Sequence, residues 1–134
     1  MLNVFVYGSG ECDQLGLGDD VFESKIPKQV SLFNTEPSNK VYKIACGGMH
    51  TLVLTTMGTI YSWGCNDDGA LGREGSENIP VLVDSITMPM NNIAAGDSHS
   101  VAYNPELNAL YLWGEYRVNF LNYLKKNYRM QREK

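Results

Sequence analysis

An all-β fold made of repeated small sheets, a partial β-propeller, is the architecture this sequence predicts. Three observations predict it. A unit of about 50 residues recurs along the chain. Each unit holds several short β-prone runs, and turn residues separate those runs.

The recurrence rests on four anchors. Val6-Tyr7-Gly8 returns as Ser62-Trp63-Gly64 and again as Leu112-Trp113-Gly114, at offsets of 56 and 50. Leu15-Gly16 returns as Leu71-Gly72, and Ile26-Pro27 as Ile79-Pro80. Ile44 to His50 returns as Ile93 to His99, at an offset of 49. Agreement among separate anchors makes chance similarity a poor explanation.

Taken in order, the expected strands are 2–7, 28–32, 41–46, 51–54, 59–63, 81–86, 92–95, 100–103 and 109–113. Each carries Val, Ile, Tyr or Trp, or other apolar residues, and is bounded by Gly, Pro, Asn or Asp. Met57-Gly58 and Asn66-Asp67-Asp68-Gly69 read as turns, because Gly and Asn accept positive φ at low cost. Four short strands per unit describe one propeller blade. Gly47 and Gly96 are expected where a Cβ would strike the neighbouring blade or force strain. Gly64 and Gly114 follow an aromatic expected to pack between sheets.

Composition narrows the function. The 134 residues are 43% apolar and 19% charged, a globular profile. Residues 1–114 hold 13 Asp/Glu against 5 Lys/Arg, a balance of −8, whereas residues 115–134 hold 2 against 6. Nucleic-acid affinity comes largely from Lys and Arg on phosphates, so the acidic body points instead to a cationic protein surface. Three dispersed cysteines do not form a disulfide framework, and a reducing, intracellular setting is expected. Neither a signal peptide nor a membrane-spanning apolar run is present in the sequence.

Repetition also separates scaffold from site. His50 and His99 share one place in successive repeats, which favours a structural, hydrogen-bonded role. Two places break the pattern. Asp97 stands where the earlier repeat has Gly48, and Arg117 stands where earlier repeats have Glu11 and Asp67. Departure from sibling repeats is where a site is expected on a repeat scaffold.

Gly64-Cys65-Asn66-Asp67-Asp68-Gly69-Ala70-Leu71-Gly72 joined to Ala95-Gly96-Asp97-Ser98-His99 resembles the regulator-of-chromosome-condensation repeat. The resemblance covers residues 4–117. It implies a seven-bladed ring, of which this chain holds about two and a half blades without closure. It further implies that one face binds the GTPase Ran and loosens its nucleotide, while another binds the nucleosome, in the nucleus. A cytoplasmic setting is the alternative. By the same resemblance Asp97, Glu11 and His50 match Ran-contact positions, and Arg117 matches an arginine of a wedge near the phosphates. No cofactor, metal or bond-making chemistry is implied. A propeller interaction module for another partner, without exchange activity, is the alternative function.

The tail, 118–134, departs from this pattern. Asn122 replaces the expected glycine after Leu121, and Phe120, Leu121, Leu124 and Tyr128 fall at helical spacing, so a short basic helix is expected. The tail's residue types suit A- and T-rich codons, as expected of read-through into non-coding sequence. An unclosed ring would leave a strand edge and an apolar face open, so self-association is expected. Other chemistries fail on spacing. Gly8-Ser9-Gly10 lacks the third glycine of a dinucleotide loop and the Lys of a phosphate loop. Asn66-Asp67-Asp68-Gly69 lacks a calcium loop's ligand spacing, and Ser98-His99 adjacency does not make a triad.

Overall fold

The computed structural model describes residues 3–35, 38, 40–116 and 129–132. Its elements run β1 (Phe5–Ser9), β2 (Glu23–Gln29), α1 (Leu32–Thr35), β3 (Val41–Cys46), β4 (His50–Thr55), β5 (Ile60–Gly64), β6 (Val81–Leu82), β7 (Asn92–Ala95), β8 (His99–Asn104), β9 (Ala109–Gly114) and β10 (Arg129–Arg132). They form three sheets, with orders β1-β2, β3-β4-β5-β6 and β10-β9-β8-β7. The fold is that of a partial propeller. The three sheets do not close a ring among the described residues.

The middle sheet explains the stacking. All six residues of β4 are buried, because both faces of this strand are covered. Leu52 and Leu54 join Ile60, Ile93, Ala102, Tyr111 and Trp113 in a core shared with the third sheet. Val53, between them, points the other way into a core with Val4, Val30, Phe33 and Trp63. Side chains alternate across a strand, so an unbroken apolar run serves two neighbours at once. Each such side chain contributes about 1.5–3 kcal/mol by leaving water.

The sequence-predicted strands match the observed ones to within a residue at each end except at three, the first of which runs Phe5–Ser9 rather than 2–7. The second runs Glu23–Gln29 rather than 28–32. Its Pro27 is tolerated because, among the described residues, β2 pairs only with β1 and its other edge carries no ladder bonds. Leu32 belongs to the short α1 instead, in which the next residue, Phe33, packs edge-on to Tyr61 with ring centroids 5.5 Å apart. The sixth strand is only Val81–Leu82, a short outer edge that follows Pro80.

Within the tail, β10 is a strand, parallel to β9, in a segment expected to be helical. It takes the edge of β9 that β6 takes, antiparallel, on β5. Parallel pairing needs a connection of a dozen or more residues, and fourteen residues separate β9 from β10 in the sequence. Phe120, Leu121, Leu124 and Tyr128, which carried the helical expectation, lie outside the described residues.

Candidate protein-interaction face

Loops from all three sheets gather at one end of the stack. In the middle sheet His50 at the start of β4 pairs with Gly64 at the end of β5. The Cys65 N–H donates to the Met49 carbonyl at 2.8 Å, which ties the loop after β5 to the β3–β4 turn. The third sheet repeats this: His99 pairs with Gly114, and the Glu115 N–H donates to the Ser98 carbonyl at 2.8 Å. In the first sheet, Ser9 and Gln14 flank the loop that holds Glu11, and they line a groove of about 270 Å³ with Gly47, Gly48 and His50. These loops carry Glu11, Asp67, Asp68, Asp97 and Glu115, so the end is acidic.

Two hydrogen bonds lock neighbouring sheets behind this face. The Trp63 indole N–H donates to the Gln14 carbonyl at 2.9 Å, and the Trp113 indole N–H to the Ala70 carbonyl at 2.7 Å. Gln14 and Ala70 each precede a Leu-Gly pair, so the same contact recurs in register with the repeat. Each Trp therefore packs between sheets, as expected. Gly64 and Gly114 have their own requirement: φ of +104° and +87°, with a preceding-turn carbonyl where a Cβ would stand.

His50 is 2% exposed and lies behind the face. Its Nε2 lies 2.8 Å from Ser100 Oγ, and Ser100 Oγ donates to the Ala70 carbonyl at 2.8 Å. With that hydroxyl proton engaged, Nε2–H of a neutral His50 is the donor to Ser100. Burial lowers the His50 pKa below 6.5, the nearby His99 lowers it further, and Asp97 opposes both. The expected clash with the neighbouring sheet holds for Gly47 and needs correcting for Gly96. A Cβ on Gly47 would strike the His50 ring of its own sheet as well as the Gly96 carbonyl of the next, and a Cβ on Gly96 would strike its own His99. These glycines make room chiefly for the turn histidines.

Asp97 is exposed in the turn between β7 and β8, within electrostatic reach of His50. Its turn touches the β3–β4 turn directly, since the Gly48 N–H donates to the Asp97 carbonyl at 3.1 Å. Glu11 is exposed in the first-sheet loop. Arg117 lies outside the described residues. Sequence reasoning missed Ser100, although Thr51 and Ser100 share the place after the turn histidine. It also missed Arg73, which is buried and bonds Ser62 through Nε at 3.0 Å and Nη2 at 2.7 Å.

The family model described as the Regulator of chromosome condensation (RCC1) repeat matches residues 3–54 and 57–103. The regulator of chromosome condensation of Homo sapiens is 42% identical over 120 residues, covering 87% of this chain and 27% of that protein. The guanine nucleotide exchange factor SRM1 of Saccharomyces cerevisiae is 33% identical over 105 residues, covering 78% and 22%. The crystal structure of Prp20p from Saccharomyces cerevisiae, studied for binding to Gsp1p and histones, superposes with a TM-score of 0.76 at 35% identity, covering 88% and 30%. This chain thus spans about a quarter of the length of the curated relatives it matches.

Proposed function

We propose, from the premise that this chain belongs to the regulator of chromosome condensation repeat family, that its acidic end docks a basic surface of a Ran-type GTPase. The observation that carries the reading is the side-by-side placement of the 47–49 and 96–98 turns, with Asp97 exposed on the second. Asp97 and Glu11 attract basic side chains of the partner. Arg117, just beyond the acidic loop residue Glu115, acts near the phosphate region of the GTPase. His50 supports the face from behind.

Exchange would follow from differential binding. A surface that favours the nucleotide-free GTPase over the loaded form lowers nucleotide affinity by the same factor, so GDP leaves and abundant GTP replaces it. No bond is made or broken by the factor. Exchange, nucleosome binding and nuclear residence are proposed for a ring that these repeats help to build.

The test is release of fluorescent GDP from Ran, with this chain and with a complete ring carrying the same repeats. Acceleration by the ring, reduced by Asp97→Asn, is the expected result. A ring that binds protein partners but leaves GDP release unchanged would make the repeats an interaction module without exchange activity.

A further inference from the structure

Gly48 and Asp97 occupy the same place in successive repeats, 49 residues apart, and they touch one another across the sheet boundary. The Gly48 N–H reaches both the Gly96 carbonyl at 3.3 Å and the Asp97 carbonyl at 3.1 Å. A Cβ on Gly48 would overlap the Asp97 carboxylate oxygen Oδ1 and come within 2.9 Å of the Asp97 carbonyl oxygen. Gly48 is not among the glycines with positive φ, so its backbone conformation is open to other residues. What excludes a side chain at 48 is Asp97.

We propose that Gly48 is a positioning residue for Asp97: the side chain it lacks is the space in which the neighbouring carboxylate sits, facing a cationic group of the partner. The inference rests on the reading of Asp97 as a partner contact. It adds that the recognition unit is a pair of equivalent positions from adjacent blades. The aspartate at one repeat requires the glycine at the repeat before it. The ligand chemistry is an ammonium or guanidinium side chain, which a carboxylate held in one direction engages better than one displaced by a methyl group.

A double-mutant cycle tests this with four forms of the chain: unmodified, Gly48→Ala, Asp97→Asn, and both together. Affinity for nucleotide-free Ran is measured alongside the NMR titration of the Asp97 carboxyl carbon in the chain alone. Gly48→Ala is expected to weaken binding about tenfold, but less than about twofold when Asp97 is already Asn, and to move the Asp97 carboxyl resonance. A Gly48→Ala effect undiminished in the Asp97→Asn background, or no effect on either readout, overturns the proposal. If Asp97→Asn leaves Ran binding unchanged, the partner reading fails by itself. The carboxyl resonance then decides the positioning role: a shift in Gly48→Ala upholds it, and an unmoved resonance ends it.

Discussion

The Trp113 indole lies where a side chain on Gly72 would have to go: a Cβ there would come within 2.8 Å of Nε1, the atom that donates to the Ala70 carbonyl. Gly16 stands in the same relation to Trp63, at 2.7 Å. Both glycines also have positive φ, +65° and +63°.

Gly72→Ala therefore carries two costs. The left-handed backbone costs about 1–2 kcal/mol for a residue with Cβ, and displacing the indole adds about 1 kcal/mol for its hydrogen bond. A loss of about 2–3 kcal/mol in urea unfolding is expected. Gly69→Ala, at φ +73° but with open space around it, separates the terms and should show only the backbone cost.

Arg73 presents two donors of its planar fork to Ser62, one to the hydroxyl and one to the carbonyl. Ser62 is fully buried and donates in turn to the Leu71 carbonyl at 2.9 Å. Arg73→Ala leaves those acceptors without their donors and is expected to cost about 2–4 kcal/mol in chemical denaturation. Lysine cannot offer two donors in fixed geometry, so Arg73→Lys should recover less than half of the loss.

Acid should weaken the stack through His50. Its folded pKa lies below the ordinary 6.5, so the unfolded chain binds the proton more readily. Stability from this group is full above about pH 6.5 and falls as pH drops toward the lowered folded value. Thermal melts between pH 7.5 and 5.5 should show the unmodified midpoint falling more steeply than that of His50→Asn. Equal slopes would contradict the assignment.

Charge at the acidic end should govern association with a basic GTPase. Asp97→Lys is expected to weaken binding to Ran about tenfold or more, with Glu11→Lys smaller, and both effects should shrink as salt rises. Surface plasmon resonance at two ionic strengths checks both the order and the screening.

Strand β1 exposes large apolar side chains: Tyr7 is 71% exposed, whereas Trp63 at the equivalent place is fully buried. Phe5 is also exposed, and both line the groove beside β3. The purified chain is expected to self-associate with rising concentration in size-exclusion chromatography. Phe5→Lys with Tyr7→Lys should return it toward the monomer; a parent chain that stays monomeric throughout would refute the expectation.

The stacked sheets were legible in the sequence because their determinants are local. Trp63 and Trp113 announce the repeat, and Leu52-Val53-Leu54 announces a strand covered on both faces. The placement of β2 was not legible: Pro27 reads as a strand breaker unless the strand is known to lie at an edge. Leu32 looks like a strand residue until the packing of Phe33 against Tyr61 and Trp63 draws both into a helical turn. Asp97 stood out as a departure from its sibling repeat, but its contact with Gly48 depends on the distance between two sheets, which a single repeat does not encode. The role of Ser100 was hidden for the same reason. Its partners, His50 and Ala70, are 50 and 30 residues away along the chain.

The Ala70 carbonyl accepts from both Ser100 and Trp113, so two donors of one sheet converge on a single oxygen of its neighbour. Sliding the third sheet past the second would have to break both bonds, along with the His50–Ser100 bond and the Gly48 contact to the Asp97 carbonyl that join the same two sheets. A protein that grips the turn beside His99 would therefore load several bonds between the two sheets at once, and the Ala70 carbonyl just before Leu71 takes two of them.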